Sequence, residues 1–182
     1  FSLILQQVVV VGVIAIGQTL VVLTAGIDLS CGMVMALGSI VMSRAAVDHG
    51  LDAGSAVACG LLATTAFGFV NGALITQVRL PPFIVTLGTL NIAFAITQIY
   101  SHSQTVSGLP DAMVVLGDTF RLGDTAITYG TVFMLAVYFL VWCALRETAA
   151  GRHVYAVGSN AEAARRAGIN VKRIYLSVFT LC

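Results

Sequence analysis

The stretch TAGIDLSCG, residues 24–32, interrupts a long apolar segment with one carboxylate and two glycines. Its Asp28 is the only charged residue in the first 43 positions. Gly26 and Gly32 permit a break between two helices, while Asp28 and Ser30 are favoured N-cap residues for the helix that follows. A carboxylate also stabilises the positive end of a helix. The stretch therefore predicts a capped break between two apolar helices.

The same break has a second, functional interpretation. Broken helices within a membrane supply polar groups to the path of a transported solute. Asp28, Ser30 and Gln18 would then line or gate a path for a hydrophilic solute. The two interpretations are compatible, because a capped break can also serve as a hinge.

The composition is that of a membrane protein. Of the 182 residues, 58% are hydrophobic and only 9% are charged, whereas soluble domains carry about 25% charged residues. The net charge of +1 gives no basic surface of the kind that binds nucleic acid. The sequence has no G-x-x-x-x-G-K-[ST] phosphate loop, so ATP binding by that device is not expected. The four cysteines are scattered, and no metal site is expected.

Charge-free runs predict an all-α, polytopic transmembrane helical bundle. A spanning helix needs about 20 apolar residues, and four runs reach that length: 1–27, 53–78, 80–110 and 125–145. A shorter run, 29–43, spans only if its helix continues through 44–47 with Arg44 reaching the interface. The apolar run that reaches residue 182 is expected to be a truncated sixth span. We therefore expect about five spans and part of another.

The basic residues predict how the bundle is oriented. Six of them lie in the loop 146–173, whereas the loop 101–124 has one arginine and three aspartates. Because loops rich in Lys and Arg stay in the cytoplasm, the loop 146–173 and the short segment 77–82 are expected there. The segment 44–52 is expected on the opposite side. We call the side that carries 146–173 the basic side.

Small residues recur at every fourth position of the run 53–78, and they would share one helix face. They are Ala56, Gly60, Thr64, Gly68 and Gly72. Such a face lets a neighbouring backbone approach closely. The simpler alternative is the general tolerance of glycine in membrane helices.

The run 80–110 carries polar residues on two faces. Thr86 and Thr89 fall on one face and Asn91 on another. Polar side chains that face lipid are disfavoured, so either they form hydrogen bonds between helices or one face lines a hydrophilic path. Pro82 suits the first helical turn, where its missing N–H is not needed.

The loop 146–173 contains the signals of one short helix. Ser159 precedes Glu162 by three residues, the spacing of a capping box, and Gly168 is a typical stop. These residues predict a two-turn helix over about 160–167, which is too short to be stable alone in water.

The small surface of this helix favours docking to another protein. Ala163 and Ala164 would let the helix enter a groove, with Glu162 and Arg165 available for ion pairs. The alternative is a helix that lies on the lipid headgroups through Arg165 and Arg166. The lack of large apolar side chains weakens that alternative.

Several motifs resemble one family of membrane proteins. EAARRAG, residues 162–168, matches the E-A-A-x-x-x-G motif of bacterial ATP-binding cassette (ABC) importer permeases. The segment 17–39, GQTLVVLTAGIDLSCGMVMALGS, resembles permeases of the ribose-type monosaccharide importers, and so do 71–90 and 151–171. The resemblance covers nearly the whole chain in order. Cys31 departs from it, since valine is common there.

The resemblance implies a permease subunit in the bacterial inner membrane rather than an enzyme. It would form the pathway for a monosaccharide such as ribose together with a second permease subunit, as a homodimer. A cytoplasmic ABC ATPase would bind ATP and Mg, a periplasmic sugar-binding protein would deliver the solute, and this chain would hold no cofactor. Residues 1–182 would be the first half, a partial transmembrane permease domain of about five spans out of ten.

The resemblance also assigns roles to residues. The ATPase-coupling residues would be Ser159, Glu162, Ala163, Ala164, Arg165 and Gly168. The candidates for the translocation pathway are Gln18, Asp28, Ser30, Thr86, Thr89 and Asn91.

Two other functions are weighed against this one. An ion-coupled secondary transporter would use an ionisable group within the membrane, for which Asp28 is the only acidic candidate, but it gives the E-A-A-x-x-x-G loop no role. A membrane-embedded enzyme is not expected, since His49, His102 and His153 are scattered and expected in loops, and no G-x-S-x-G sequence occurs.

Overall fold

The computed structural model describes residues 2–122 and 125–182, in which the chain forms helices and one β-hairpin. Residue 1 of the first predicted span and residues 123 and 124 of the loop 101–124 lie outside these ranges. The elements are α1 Ser2–Leu23, α2 Cys31–Val47, α3 Ala53–Ala73, α4 Pro82–Ser101, α5 Asp111–Val114, β1 Thr119–Leu122, β2 Thr125–Thr128, α6 Tyr129–Glu147, α7 Ala149–Ser159, α8 Ala161–Arg166 and α9 Val171–Leu181. The predicted class, a helical membrane protein, is confirmed.

The predicted spans correspond to apolar helices. Three helical segments of the described chain are long and apolar enough to cross a membrane: Ala53–Val78, Pro82–Ser101 and Tyr129–Glu147. The first two predicted spans correspond to α1, Ser2–Leu23, and to the shorter α2, Cys31–Val47, which are also apolar. The predicted continuation of the second one through 44–47 is confirmed.

Local capping sets where the longer helices begin and end. The Asp52 carboxylate accepts hydrogen bonds from the amides of Gly54 and Ser55 at the start of α3. Pro82 stands in the first turn of α4, as predicted. At its other end α3 continues as a π-helix, Leu74–Val78, which stops at Arg79 in the left-handed conformation.

The small face of α3 is packed against two neighbouring helices, as predicted. An added Cβ on Gly68 would lie 2.5 Å from the carbonyl oxygen of Phe179 in α9, and one on Gly72 would lie 3.0 Å from the Cα of Leu176. Towards the other end of α3, Gly60 meets the Gly38 carbonyl of α2. The glycines therefore let the three backbones approach within a distance that no side chain permits.

A β-hairpin replaces part of the predicted fifth span. β1 pairs with β2 in antiparallel register, with Thr119 opposite Thr128 and Arg121 opposite Ala126. The helix α6 therefore begins at Tyr129 rather than near residue 125, because Thr128 has extended backbone and its hydroxyl caps the Thr131 amide. In the run 80–110 the helix α4 ends at Ser101, before the end of the run.

The relative positions of the loops agree with the predicted sidedness. Arg44, near the end of α2, donates a 3.2 Å hydrogen bond to the Ser101 carbonyl at the end of α4. On the basic side, Arg79 lines one cleft together with Arg165 and Lys172. The ends of α2 and α4 thus share one side of the bundle, and the segment 77–82 shares the other with the loop 146–173.

The packing of α3 leads to a test of Gly68. Gly68→Ala should lower the stability of the whole permease by about 1–3 kcal/mol, because the new methyl group overlaps the α9 backbone. The measurement is the melting temperature of the purified permease in detergent. Gly88→Ala is the matched control, since an added Cβ there meets no described atom within 4 Å. Equal melting temperatures for Gly68→Ala and the wild type would contradict the close approach.

Candidate functional site

The first candidate site is the break between α1 and α2, residues 24–30. We call it the buried turn because Thr24, Gly26, Asp28 and Ser30 are buried, whereas the alternate residues Ala25, Ile27 and Leu29 are exposed. The helix α1 closes with amide hydrogen bonds from Thr24 and Gly26 to the Val21 carbonyl, both 3.0 Å long. Ala25 adopts the left-handed conformation, with φ of 57°. The expectation that glycines provide the break is therefore wrong in detail, because alanine occupies the left-handed position.

The two glycines of the motif have other environments. An added Cβ on Gly26 would lie 3.2 Å from the Phe179 ring, so this glycine permits close packing against α9. Gly32 lies within α2, where an added Cβ would meet no described atom within 4 Å.

The Asp28 carboxylate, which is only 6% exposed, organises the entry to α2. Its Oδ1 accepts hydrogen bonds from both the amide and the hydroxyl of Ser30, each 2.7 Å long. Ser30 stands at the N-cap position but has helical backbone angles and makes no side-chain cap. The prediction that Ser30 caps the helix is wrong, because its hydroxyl is already bonded to Asp28.

Side chains from four helices donate hydrogen bonds to polar atoms of the buried turn. Gln18 of α1 donates to the Asp28 carbonyl (2.6 Å), Tyr175 of α9 to the Thr24 carbonyl (3.0 Å), and Asn71 of α3 to the Ser30 hydroxyl (3.0 Å). Thr86 of α4 shares its one hydroxyl hydrogen between the Pro82 carbonyl of its own helix (2.9 Å) and the Ile27 carbonyl (3.3 Å). Buried polar groups of a non-helical segment need partners elsewhere in the protein. These four contacts supply donors to the carbonyls of Thr24, Ile27 and Asp28 and to the Ser30 hydroxyl.

Two of these donors, Asn71 and Tyr175, were missed by the sequence analysis. Asn71 is 1% exposed, and its Oδ1 has no hydrogen-bond partner in the described part of the chain. The available signal was an amide side chain inside the apolar run 53–78, whose other amide, Gln77, is one residue from its end. Tyr175 gave no comparable signal, because it lies 151 residues from Thr24 along the chain.

The three candidates on α4 separate into two groups. Thr86 and Thr89 are buried, and the Thr89 hydroxyl bonds to carbonyls of its own helix. Asn91 is exposed and donates only to the Leu87 carbonyl, at 2.8 Å. The structure thus brings Thr86 to the buried turn and places Asn91 on an outward face.

The second candidate site is the short helix α8 on the basic side. Its N-cap is Asn160, whose side chain accepts a 2.9 Å hydrogen bond from the Ala163 amide. The predicted capping box from Ser159 to Glu162 is wrong. Ser159 is the last residue of α7 and therefore lacks the extended backbone that an N-cap residue adopts. Gly168 ends the helix with φ of 86°, as predicted.

The surface of α8 is mostly available to a partner. Of the six predicted coupling residues, Ala164 is buried against its own chain and the other five are exposed: Ser159, Glu162, Ala163, Arg165 and Gly168. Glu162 pairs with Arg165, and also with Arg166 at 3.3 Å. The exposed face therefore presents a carboxylate between two guanidinium groups beside small side chains.

The sequence analysis also missed the helix α7, which precedes α8. The hydroxyl of Thr148 caps it at the Gly151 amide, and Val154 and Val157 are buried on its inner face. Near its end, the Gly158 backbone lies so close to the Leu23 carbonyl that no Cβ would fit. The loop 146–173 is thus largely helical and packs against the end of α1.

Apolar helices of membrane length, joined by a polar break, define a multi-pass helical membrane protein. The whole chain, residues 1–182, matches a family described as branched-chain amino acid transport system / permease component. The chain belongs to this family of permease components and is a multi-pass protein of the inner membrane.

Among curated proteins, the chain is similar to import permeases. The fructose import permease protein FrcC of Rhizobium meliloti is 44% identical over an alignment of 185 positions, which covers 99% of this chain and 51% of the relative. The ribose import permease protein RbsC of Bacillus subtilis (strain 168) is 34% identical, with 97% and 54% covered. The autoinducer 2 import system permease protein LsrC of Shigella flexneri is 33% identical, with 92% and 48% covered.

These comparisons confirm the resemblance to sugar importer permeases. The chain spans about half the length of the curated relatives it matches. No solved structure matches the chain.

The geometry at Asp28 leads to a test with two variants. Asp28→Asn keeps an acceptor oxygen for Ser30 and should retain most of the stability of the permease. Asp28→Leu leaves the amide and hydroxyl of Ser30 buried without an acceptor and should cost about 2–3 kcal/mol. The measurement is thermal unfolding of both purified variants. The role assigned to Asp28 fails if both variants are equally stable.

Solute uptake by Asp28→Asn separates the charge of this residue from its structural role. If the negative charge acts in gating, uptake should fall although the fold is retained. Wild-type uptake by Asp28→Asn would rule out a gating charge.

Proposed function

We propose that this chain is part of the permease subunit of an ABC importer that forms the translocation pathway for a monosaccharide. The observation that carries the proposal is the identity to the fructose and ribose import permeases over nearly all of the chain. The two names favour a simple sugar as the solute, and fructose is favoured by the higher identity. Residues 1–182 are one partial permease domain in this proposal, with the coupling loop at about 146–173.

The proposed partners follow from this class of importer. A second copy of the permease completes the pathway as a homodimer, and a periplasmic binding protein delivers the sugar. A separate cytoplasmic ABC ATPase binds ATP and Mg and supplies the energy, so this chain holds no cofactor. The basic side of the bundle is then the cytoplasmic side, in agreement with its six Lys and Arg residues in 146–173.

The helix α8 is the proposed coupling helix. It is short, is capped at both ends, and presents Glu162, Ala163 and Arg165 to solvent on the basic side. A helix with small exposed side chains fits a cleft in a partner, and its charged groups can select that partner. Coupling requires that the ATPase bind one permease conformation more tightly than the other. Ala164 supports α8 from inside rather than contacting the ATPase.

The buried turn is proposed as the hinge of the sugar pathway rather than its lining. Asp28, Ser30 and Thr86 are all buried in the chain and are bonded to one another or to the turn. Gln18 holds the same turn, and Thr89 lies one helical turn beyond Thr86. Asn91, on the outward face of α4, is the candidate that can line a path formed with other parts of the importer.

An ion-coupled transporter is disfavoured by the same observations. The relatives are permease components of import systems, which rely on an ATPase in a separate chain. Asp28, the acidic group that such a transporter would use, is already engaged by Ser30.

The proposed coupling role is tested at Glu162. Glu162→Lys should leave membrane insertion and melting temperature intact, because Glu162 is on an exposed surface. Copurification of the ATPase and sugar uptake should each fall about ten-fold or more, because the variant places a third cation beside Arg165 and Arg166.

The control is Glu147→Lys, which makes the same charge change at an exposed residue on the basic side, at the end of α6. This variant should copurify with the ATPase as the wild type does. Wild-type copurification and uptake by Glu162→Lys would refute the assignment of α8.

A further inference from the structure

The two helices that flank α8 both contact the end of α1. On one side, α7 ends at Ser159, and the Gly158 backbone lies directly against the Leu23 carbonyl. On the other side, α9 begins at Val171, and one turn later Tyr175 donates its hydroxyl hydrogen to the Thr24 carbonyl at 3.0 Å. The contacted carbonyls belong to two consecutive residues, Leu23 at the end of α1 and Thr24 at the start of the buried turn.

The helix α9 has a second contact with the same turn. Phe179 is fully buried, and its ring would lie 3.2 Å from a Cβ added on Gly26. The ring also stacks on Tyr175, with ring centroids 6.5 Å apart. Tyr175 and Phe179 thus form one aromatic unit that contacts both Thr24 and Gly26. A displacement of α9 therefore cannot leave the buried turn unchanged.

The buried turn is suited to respond to such a displacement. Ala25 holds a left-handed backbone that costs energy for a residue with a side chain. Further along the turn, the carbonyls of Asp28 and Ile27 accept hydrogen bonds from Gln18 and Thr86. A segment of this kind changes between distinct arrangements rather than deforming gradually.

We propose that the Tyr175 hydroxyl and the Gly158 backbone transmit the position of α8 to the buried turn. Tyr175 is then a positioning residue: it contacts neither the sugar nor ATP, but it links the docked helix to the hinge. This inference rests on the proposed function, since it takes α8 as the helix that the ATPase moves. In this inference α7 and α9, the helices on either side of α8, carry its movement to the buried turn, which the exposed coupling residues cannot do alone.

Tyr175→Phe tests the proposal because it removes only the hydroxyl and keeps the ring that packs on Phe179. The matched control is Tyr155→Phe on α7, whose half-exposed hydroxyl makes no hydrogen bond with a described residue. Each variant of the whole permease is reconstituted in liposomes with its ATPase and the sugar-loaded binding protein. The measured quantities are ATPase copurification, the rate of ATP hydrolysis, and the number of sugars imported per ATP hydrolysed.

For Tyr175→Phe we expect wild-type copurification and hydrolysis, with about three- to ten-fold fewer sugars imported per ATP, the effect of losing one hydrogen bond. Tyr155→Phe should match the wild type. A merely structural role of Tyr175 would reduce the amount of folded permease but leave the ratio of sugar to ATP unchanged. An unchanged ratio for Tyr175→Phe, or an equal fall for Tyr155→Phe, would overturn the inference.

The same experiment distinguishes failure of the proposed function. If the wild-type permease neither copurifies with the ATPase nor imports sugar at the expense of ATP, then α8 is not a coupling helix, and both proposals fall. If the wild type does both and only the Tyr175→Phe ratio is unaltered, the importer assignment stands and the transmission through Tyr175 is wrong.

Discussion

The non-helical residues 24–30 lack the regular backbone hydrogen bonds of a helix, so their buried polar atoms depend on donors supplied by the rest of the protein. Each polar group left without a partner there would cost about 1–3 kcal/mol. The donors come from α1, α3, α4 and α9, which are remote from one another in sequence. Satisfying one short turn therefore requires four helices to meet at one place, and this requirement gives the bundle its centre.

The packing of α3 makes that meeting possible. Gly68 and Gly72 let the backbone of α9 come into direct contact with α3, and Asn71 lies between them on the same helix. The amide of Asn71 thereby reaches Ser30, while Phe179 and Tyr175 reach the turn from the other side. The small residues of α3 thus determine which polar side chains can reach the turn between α1 and α2. Because α9 packs on α3 and follows α8 in the chain, its position links that turn to α8.

The sequence predicted most of the architecture and part of the site. Charge-free runs predicted the apolar helices, and small residues at every fourth position predicted the face of α3 that packs closely on its neighbours. The motif around Asp28 predicted the break between α1 and α2. The choice of Asn160 over Ser159 as the cap could not be predicted, because both are good N-cap residues and the decision depends on α7 continuing through Ser159. The contact of Tyr175 with Thr24 depends on how α9 packs on α1 and α3, which no local pattern encodes. Ala25 in a left-handed conformation runs against its own preference and is imposed by the tertiary structure.

Amide hydrogen exchange in the segment 24–30 tests most directly whether side chains of neighbouring helices hold the buried turn. The exchange rates are measured in the whole permease in lipid nanodiscs and compared between two variants. Gln18→Leu removes the donor to the Asp28 carbonyl, whereas Gln7→Leu makes the same change at an exposed position of the same helix. For the amides of Thr24, Gly26 and Ser30, which have acceptors in the structure, the account predicts exchange as slow as in the middle of α3 in the wild type and Gln7→Leu. Exchange of these amides should be at least about ten-fold faster in Gln18→Leu. Rapid exchange in the wild type, or equal rates in the two variants, would contradict the claim that the turn is held by side chains from its neighbours.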